Sequence, residues 1–362
     1  MDLIAHRRRL HQIPELDFRL PETLNYIHSV LDPLPCQVFS PAPGSLCAFF
    51  DFGKDTALAF RADMDALPVT EKTGLPFSSC HPGQMHACGH DGHMAIALAL
   101  AQWAAEQDTL PHNLLLVFQP AEETTGGAKM ICDSGVFEAH RTKAIFGLHL
   151  WPDLPLGRIA TRPGGMMCRS SEVTLAVTGR SAHVARAEMG LDALEASARW
   201  YLGAMEAERS LPGDVPRLLK FGKMQAGTIR NVIAGSATLE GTLRAYEDEV
   251  FDALALRLRR LCHSLEHETG CRFDLHLSEG YPAVWNPEEL YEQVSRIYPL
   301  SLLEEPVRIA EDFSYYQRRL PGLFLFLGCG PAPALHREDF QFDEGALETG
   351  FRLFRRIAEA YP

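Results

Sequence analysis

The segment His86-Ala87-Cys88-Gly89-His90-Asp91-Gly92-His93 sets three histidines, a cysteine and an aspartate directly before the apolar run Met94 to Ala104. Thiolate and imidazole are the donors that zinc and neighbouring first-row divalent ions prefer. Donors two residues apart in an extended stretch project to one side, so Cys88 and His90 are expected to act as a pair. Asp91 stands where a helix N-cap belongs. The segment predicts a metal site at a loop-to-helix junction, and by itself leaves open whether that site is structural or catalytic.

Further donor-type residues follow short apolar strand candidates. Arg61-Ala62-Asp63-Met64-Asp65 follows Ala57 to Phe60, and Glu122-Glu123 follow Leu114 to Phe118 through Gln119-Pro120-Ala121. His149 lies near the end of Ala144 to Leu150, and His336 comes after the turn Gly328 to Pro333 that ends the strand Leu323 to Leu327. In open α/β sheets the carboxyl ends of the strands line the ligand crevice, so these scattered positions are expected to converge.

The elements that must position them read as two kinds of structure. Strands alternating with helices at Met94–Glu106 and Gly127–Ser134 predict an α/β layer with a largely parallel sheet. Unbroken apolar strands such as Leu114-Leu115-Leu116-Val117-Phe118 fit burial on both faces. From Arg169 the pattern changes: Val173, Leu175 and Val177 alternate with polar residues, as in a half-exposed antiparallel strand. A helix (Asp192–Arg209), two strands (Leu218–Met224, Ala237–Ala245), a long helix (Glu247–Thr269) and a strand (Arg272–Leu277) complete a βαββαβ order, the ferredoxin-like signature. Residues 1–168 and 282–362 are thus expected to form one α/β catalytic domain, with residues 169–281 inserted as a smaller α+β domain.

Composition narrows the functional classes. The 362 residues are 46% hydrophobic and carry a net charge of −13, and Lys and Arg are scattered. Arg7-Arg8-Arg9 and Arg257 to Arg260 are expected to be solvated helix faces, and nucleic acid is a poor partner for such a chain. Nine cysteines, an odd number without repeated spacing, predict free thiols in a reducing compartment. No stretch reaches membrane-spanning length and no apolar leader is evident, so a cytoplasmic protein without a membrane partner is expected.

Six segments, in order, carry a resemblance. Arg61-Ala62-Asp63-Met64-Asp65-Ala66-Leu67-Pro68, Met85-His86-Ala87-Cys88-Gly89-His90-Asp91, Gln119-Pro120-Ala121-Glu122-Glu123, Gly147-Leu148-His149, Ala310-Glu311-Asp312-Phe313 and Leu335-His336 resemble the M20 metallopeptidase family. More narrowly they are similar to its amidohydrolase branch, which takes in hippurate hydrolases, plant auxin-conjugate hydrolases and N-acetyldiaminopimelate deacetylases. Compact length and stretches such as Gly157–Thr161 and Leu239–Arg244 look most like the last of these.

The resemblance implies a zinc-peptidase-like catalytic domain and an inserted lid and dimerisation domain. It implies two divalent metal ions, Mn²⁺ or Zn²⁺ with Ni²⁺ and Co²⁺ as alternatives, held by Cys88, His90, Glu123, His149 and His336, the Cys88 thiolate being shared. Five ligands are too many for one open zinc but suit a pair of ions. Glu122 is the implied general base, taking a proton from the attacking water and delivering it to the departing amine. Asp65 is the implied orienting aspartate, His183 the lid histidine that hydrogen-bonds the substrate carbonyl, and Asn231 and Arg244 substrate contacts. The implied substrate is an N-acyl amino acid and the implied assembly a homodimer through the inserted domain.

One stretch departs from the pattern. Relatives continue the lid histidine as His-Ala-Ala-x-Pro-His, whereas Ala187 and Glu188 stand here for the proline and second histidine. Two rival readings remain: a cysteine hydrolase with Cys88 as nucleophile beside His90, and a non-catalytic binding protein that keeps the fold.

Overall fold

The stretches Ala57–Asp63, Asn113–Gln119 and Gly322–Gly328 contain hardly any polar alternation, and every residue in them is buried. Strands covered on both faces must read this way. In the computed structural model, which describes residues 2–212 and 216–362, they are the centre of an eight-stranded sheet. Its order is Gln37–Phe39, Leu46–Phe50, Asn113–Gln119, Ala57–Asp63, Thr142–Trp151, Gly322–Gly328, Ile159–Thr161 and Ser301–Leu302. The four central strands run parallel, so their carboxyl ends share one edge of the sheet. The antiparallel additions lie outside them.

The helix His90–Ala104 packs against this sheet with only Gln102 short of full burial, which is why its sequence lacks a polar face. On the same core, Phe60 meets both Phe146 and Phe354 of the C-terminal helix Gly345–Ala360. Burying each such ring contributes about 1.5–3 kcal/mol. The compact unit so formed comprises Met1–Gly164, Trp285–Glu305 and Asp312–Pro362.

The second unit, Gly165–Val284 with Pro306–Glu311, follows a strand, helix, strand, strand, helix, strand order. Its sheet runs Arg272–Leu277, Arg169–Thr178, Ser236–Ala245, Arg217–Ala226, with every neighbour antiparallel. Helices Ala193–Arg209 and Asp248–Thr269 supply Trp200, Leu254 and Leu258 to its own hydrophobic core. Compared with the expected segment 169–281, the unit starts at Gly165, extends to Val284 and recruits Pro306–Glu311. The last addition is a long-range one: Cys168 N–H donates to the Ile309 carbonyl at 3.0 Å and Val307 N–H to Met166 at 2.8 Å. No local pattern could reveal it. All nine cysteines are free. No helix among the described residues is long and apolar enough to cross a membrane.

Candidate metal centre

Cys88 and His90 converge, but not by strand alternation. Gly89 adopts the left-handed conformation at φ 88° and ends the loop, and His90 is already the first residue of the helix. A side chain at Gly89 would be strained there, so glycine is the residue that lets the chain turn into the helix. Glu122 and Glu123 sit in the turn after Asn113–Gln119, and Ala121 before them has a φ of 57°. Gly127 closes that turn; a Cβ there would lie 2.1 Å from the Pro120 carbonyl oxygen. His149 belongs to the strand Thr142–Trp151, and His336, at φ 68°, is pinned by its N–H to the Ala87 carbonyl at 2.8 Å.

These residues come together as two sets of three. Donor atoms of Cys88, His90 and His149 lie within 4.8 Å of one another, and so do those of Cys88, Glu123 and His336. Cys88 is common to both: its sulfur is 3.3 Å from Nε2 of His149 and 3.3 Å from Nε2 of His336. A carboxylate oxygen of Glu122 falls in a third such group with His90 and Glu123. Asp65, buried, accepts the backbone N–H of Glu122 at 2.9 Å and of Glu123 at 3.0 Å, one on each oxygen. It therefore orients the turn that carries both glutamates.

The imidazoles are held in one tautomer. His90 Nδ1 donates to the Asp65 carbonyl at 2.8 Å, and His149 Nδ1 donates to the Leu150 carbonyl at 2.7 Å. A carbonyl only accepts, so each ring presents a bare Nε2 lone pair. Nε2 of His90 is buried without a hydrogen-bond partner, whereas Oε1 of Glu123 lies 3.2 Å from Nε2 of His336. The nearest charges to that nitrogen are carboxylate oxygens, Asp63 at 3.6 Å and Glu123 at 3.9 Å. Lone pairs facing lone pairs in a buried site call for a cation between them. Burial holds His149 down at about 3, and burial also lowers His90, so both rings are neutral donors. Burial and the charges of Glu123 and Glu122 push the Cys88 thiol well up, the reverse of what an activated nucleophile needs.

The other members of the opening segment serve different ends. His93 donates from Nδ1 to Asp63 at 2.6 Å and accepts the Leu150 N–H on Nε2 at 2.9 Å, leaving no nitrogen for a metal. Asp91 is not the N-cap, a place taken by Gly89; it accepts from Arg7 at 3.0 Å and from His11 at 2.7 Å. Arg8 and Arg9 are exposed as expected, but Arg7 is buried and also meets Glu344 at 3.2 Å, so it is no part of a solvated face. Sequence reasoning missed this network because its partners lie 84 and 337 residues away. A further buried group supports the strand ends: Arg61 bridges Asp63 at 2.6 Å and Asp312 at 2.9 Å, and Gln119 donates to Asp312 at 2.7 Å. That accounts for the Asp312 segment, which had no assigned role.

His183, Asn231 and Arg244 all lie in the second unit. His183 is exposed, pairs with Val232 in an isolated antiparallel bridge, and accepts the Ala185 N–H on Nδ1 at 3.2 Å. The exposed Asn231 is next to it in space, its carbonyl accepting the Val184 N–H at 3.2 Å. The divergent stretch Val184–Met189 forms an exposed 3-10 turn kinked at Arg186. Arg244 is half-buried and hydrogen-bonds the Arg308 carbonyl.

Comparison with known proteins agrees with this architecture over nearly the whole chain. A profile described as peptidase family M20/M25/M40 matches residues 59–360. The N-acetyldiaminopimelate deacetylase of Lacticaseibacillus paracasei is 38% identical, with 96% of this chain and 95% of that protein aligned. The protein of the same name from Listeria monocytogenes is 35% identical over 99% of each chain. Among solved structures, the Bacillus subtilis YXEP protein, described as a dinuclear metal binding peptidase from M20 family, superposes with a TM-score of 0.85 at 30% identity, covering 98% of this chain and 96% of that one. The chain belongs to peptidase family M20.

Proposed function

We propose that this M20 hydrolase is a metal-dependent amidohydrolase that splits the amide bond of N-acetyl amino acids, with N-acetyldiaminopimelate the first candidate substrate. The observation that carries the metal dependence is the buried, unpartnered Nε2 of His90 facing carboxylate oxygens, in one of two donor triads that share Cys88. The substrate rests on the names of relatives that align over nearly their whole length.

The donor set, imidazole and carboxylate with one thiolate, fits two borderline divalent ions held by Cys88, His90, Glu123, His149 and His336, zinc and manganese first and nickel or cobalt as alternatives. When bound, such ions polarise the amide carbonyl and acidify the attacking water. Glu122, buried beside Glu123 on the same turn, takes the water's proton and returns it to the leaving nitrogen. Asp65 keeps the two glutamates in register through their backbone N–H groups.

The βαββαβ topology of the second unit is the ferredoxin-like one. We read that unit as a lid and homodimerisation surface that supplies His183 to the substrate carbonyl, with Asn231 and Arg244 as substrate contacts. We read the enzyme as cytoplasmic, a reading its nine free thiols support. The test is amine release from a panel of N-acetyl amino acids by protein loaded with Mn²⁺ or Zn²⁺. Hydrolysis that disappears with EDTA and returns with metal is expected. Activity that survives EDTA would restore the Cys88-nucleophile reading, and metal-loaded protein that releases no amine from any member overturns the proposal.

A further inference from the structure

A cleft of about 770 Å³ in the larger unit has Glu123 and Thr124 in its wall, so it opens beside the candidate metal centre. Its volume is in the range of small-molecule sites. Leu16, Ala66, Leu67 and Pro68 provide apolar lining, and Arg19 and Gln84 provide polar groups. The wall is firmly built. Ala66 N–H donates to the Glu15 carbonyl at 2.8 Å, Leu16 pairs with Ala66 in a parallel bridge, and Leu67 and Met85 exchange backbone hydrogen bonds at 3.0 Å. The Thr124 hydroxyl donates to Asp17 at 2.7 Å, tying the cleft rim to the turn that carries Glu122 and Glu123.

The lining charges divide into used and unused. Glu15 caps the helix Pro21–Leu31 by accepting the N–H groups of Glu22 at 3.2 Å and Thr23 at 2.8 Å. His81 is engaged on both nitrogens, with the Pro14 carbonyl at 2.7 Å and Glu22 at 3.1 Å. Arg19 differs. It is exposed, and among the described residues its guanidinium makes no salt bridge or side-chain hydrogen bond. In a chain of net charge −13, an unpaired arginine lining a cleft beside a hydrolytic centre is a ready receptor for a carboxylate, which a guanidinium binds in bidentate fashion.

Resting on the amidohydrolase reading above, we infer that this cleft is the side-chain subsite and that Arg19 selects N-acyl amino acids whose side chain ends in a carboxylate. An amino group beside that distal carboxylate would meet Asp17, which lines the same cleft. Gln84, whose side-chain amide is likewise unengaged among the described residues, can hydrogen-bond the same end. Substrates of this class are amino dicarboxylates with a chain long enough to cross from the metal centre to Arg19.

The experiment compares wild-type, Arg19→Met and Arg19→Lys proteins on three N-acetylated substrates of similar length: 2,6-diaminopimelate, 2-aminopimelate and norleucine. Methionine keeps the stem and removes the charge, and the position is exposed, so folding is preserved. Arg19→Met should lower kcat/KM for both dicarboxylates about tenfold to a hundredfold, the scale of one lost charge-assisted pair. It should leave norleucine within about twofold, and Arg19→Lys should recover part of the loss. An equal change on all three substrates, or none on the dicarboxylates, overturns the assignment. Calorimetric binding of N-acetyl-2-aminopimelate to Glu122→Gln protein, with and without Arg19→Met, reads the cleft independently of turnover. Binding that depends on Arg19 without hydrolysis by the wild type keeps the subsite and overturns the amidohydrolase reading. Hydrolysis with binding indifferent to Arg19 does the opposite.

Discussion

The first turn of the helix His90–Ala104 contributes to two groups of buried ionisable side chains that follow opposite rules. In one, Cys88 is shared between a triad with His90 and His149 and a triad with Glu123 and His336, and Nε2 of His90 is buried with no hydrogen-bond partner. In the other, Asp91 meets Arg7 and His11, and Asp63, which His93 hydrogen-bonds, meets Arg61, so each carboxylate has a basic partner at hydrogen-bonding distance. The second group is neutralised from within and can be fully buried because each charge has its partner. The first is complete only with charge from outside. A single helical turn thus carries both the reactive donors and the scaffold that fixes them. The contrast separates residues that act from residues that hold far better than burial does, since both groups are buried.

The sharpest way to break the contrast is at Glu122, to which the proposed mechanism gives the proton transfers and no metal ligand. Glu122→Gln is expected to reduce amine release about 100- to 10,000-fold, the usual scale for general acid–base catalysis. Elemental analysis should still find the wild-type number of metal ions per chain. Loss of metal along with activity would move Glu122 into the ligand set, as its place near His90 and Glu123 permits.

The reverse substitution probes the closed group. Arg61→Met leaves Asp63 and Asp312 buried without their shared cation, and breaking a buried pair from one side costs about 3–5 kcal/mol. Thermal unfolding should report that loss in metal-free protein as fully as in loaded protein. A loss confined to loaded protein would mean that Arg61 acts on the metal centre, and the two groups would no longer be separable.

Cys88→Ala tests the sharing of one thiolate between two triads. Wild-type protein at a metal concentration of 100 times the dissociation constant should gain about 2.7 kcal/mol of stability for each occupied site. The alanine variant should lose the gain for both ions together, and its metal-free stability should change little. Retention of one tight ion would show that Cys88 serves a single site.

How much of this was legible beforehand follows from the distance over which each fact is encoded. The parallel strands could be read because burial on both faces writes itself into consecutive residues such as Leu114 to Phe118. The meeting of Cys88 with His90 and His149, and with Glu123 and His336, could be anticipated because six local segments keep a recognisable order. Arg7 could not: three successive arginines read as a solvated face, and nothing nearby announces Asp91, 84 residues on, or Glu344, 337 residues on. Asp91 was misread for a related reason, since an aspartate at a helix start has a local role by default, and here Oδ1 keeps the Gly92 N–H while Oδ2 goes to Arg7 and His11. The addition of Pro306–Glu311 to the second unit is likewise a matter of backbone pairing that leaves no trace in residue type. The exposed Arg19 was passed over because a lone surface arginine is ordinary until its cleft is seen.

His11 sharpens the comparison at its finest scale, because it links Asp91 to Glu71 through its two nitrogens, at 2.7 and 3.3 Å. Burial alone would raise the Glu71 carboxyl; the His11 ring, the Ser79 N–H and the Thr73 hydroxyl overcome this and hold it down at about 2, against an ordinary 4.5. Burial disfavours a charged His11, but Asp91 and then Glu71 overcome it and raise the ring above its ordinary 6.5. A lowered carboxyl adds stability that is present above its unfolded value and fades as pH falls from 4.5 towards about 2. A raised histidine adds stability that is full below 6.5 and fades as pH rises through its folded value. The pair therefore stabilises the fold most between these two ordinary values. In His11→Phe the Glu71 carboxyl loses its principal donor, so the acid edge of the stability profile should move up by about one pH unit, worth about 1.4 kcal/mol. The alkaline decline due to His11 should vanish. Urea unfolding of metal-free protein from pH 3 to 9, each point referred to pH 6, isolates the shape of the curve from the packing cost of the larger ring. An unmoved acid edge would mean that Ser79 and Thr73 suffice to hold Glu71, and that this end of the closed group is a local turn and no part of the charge network.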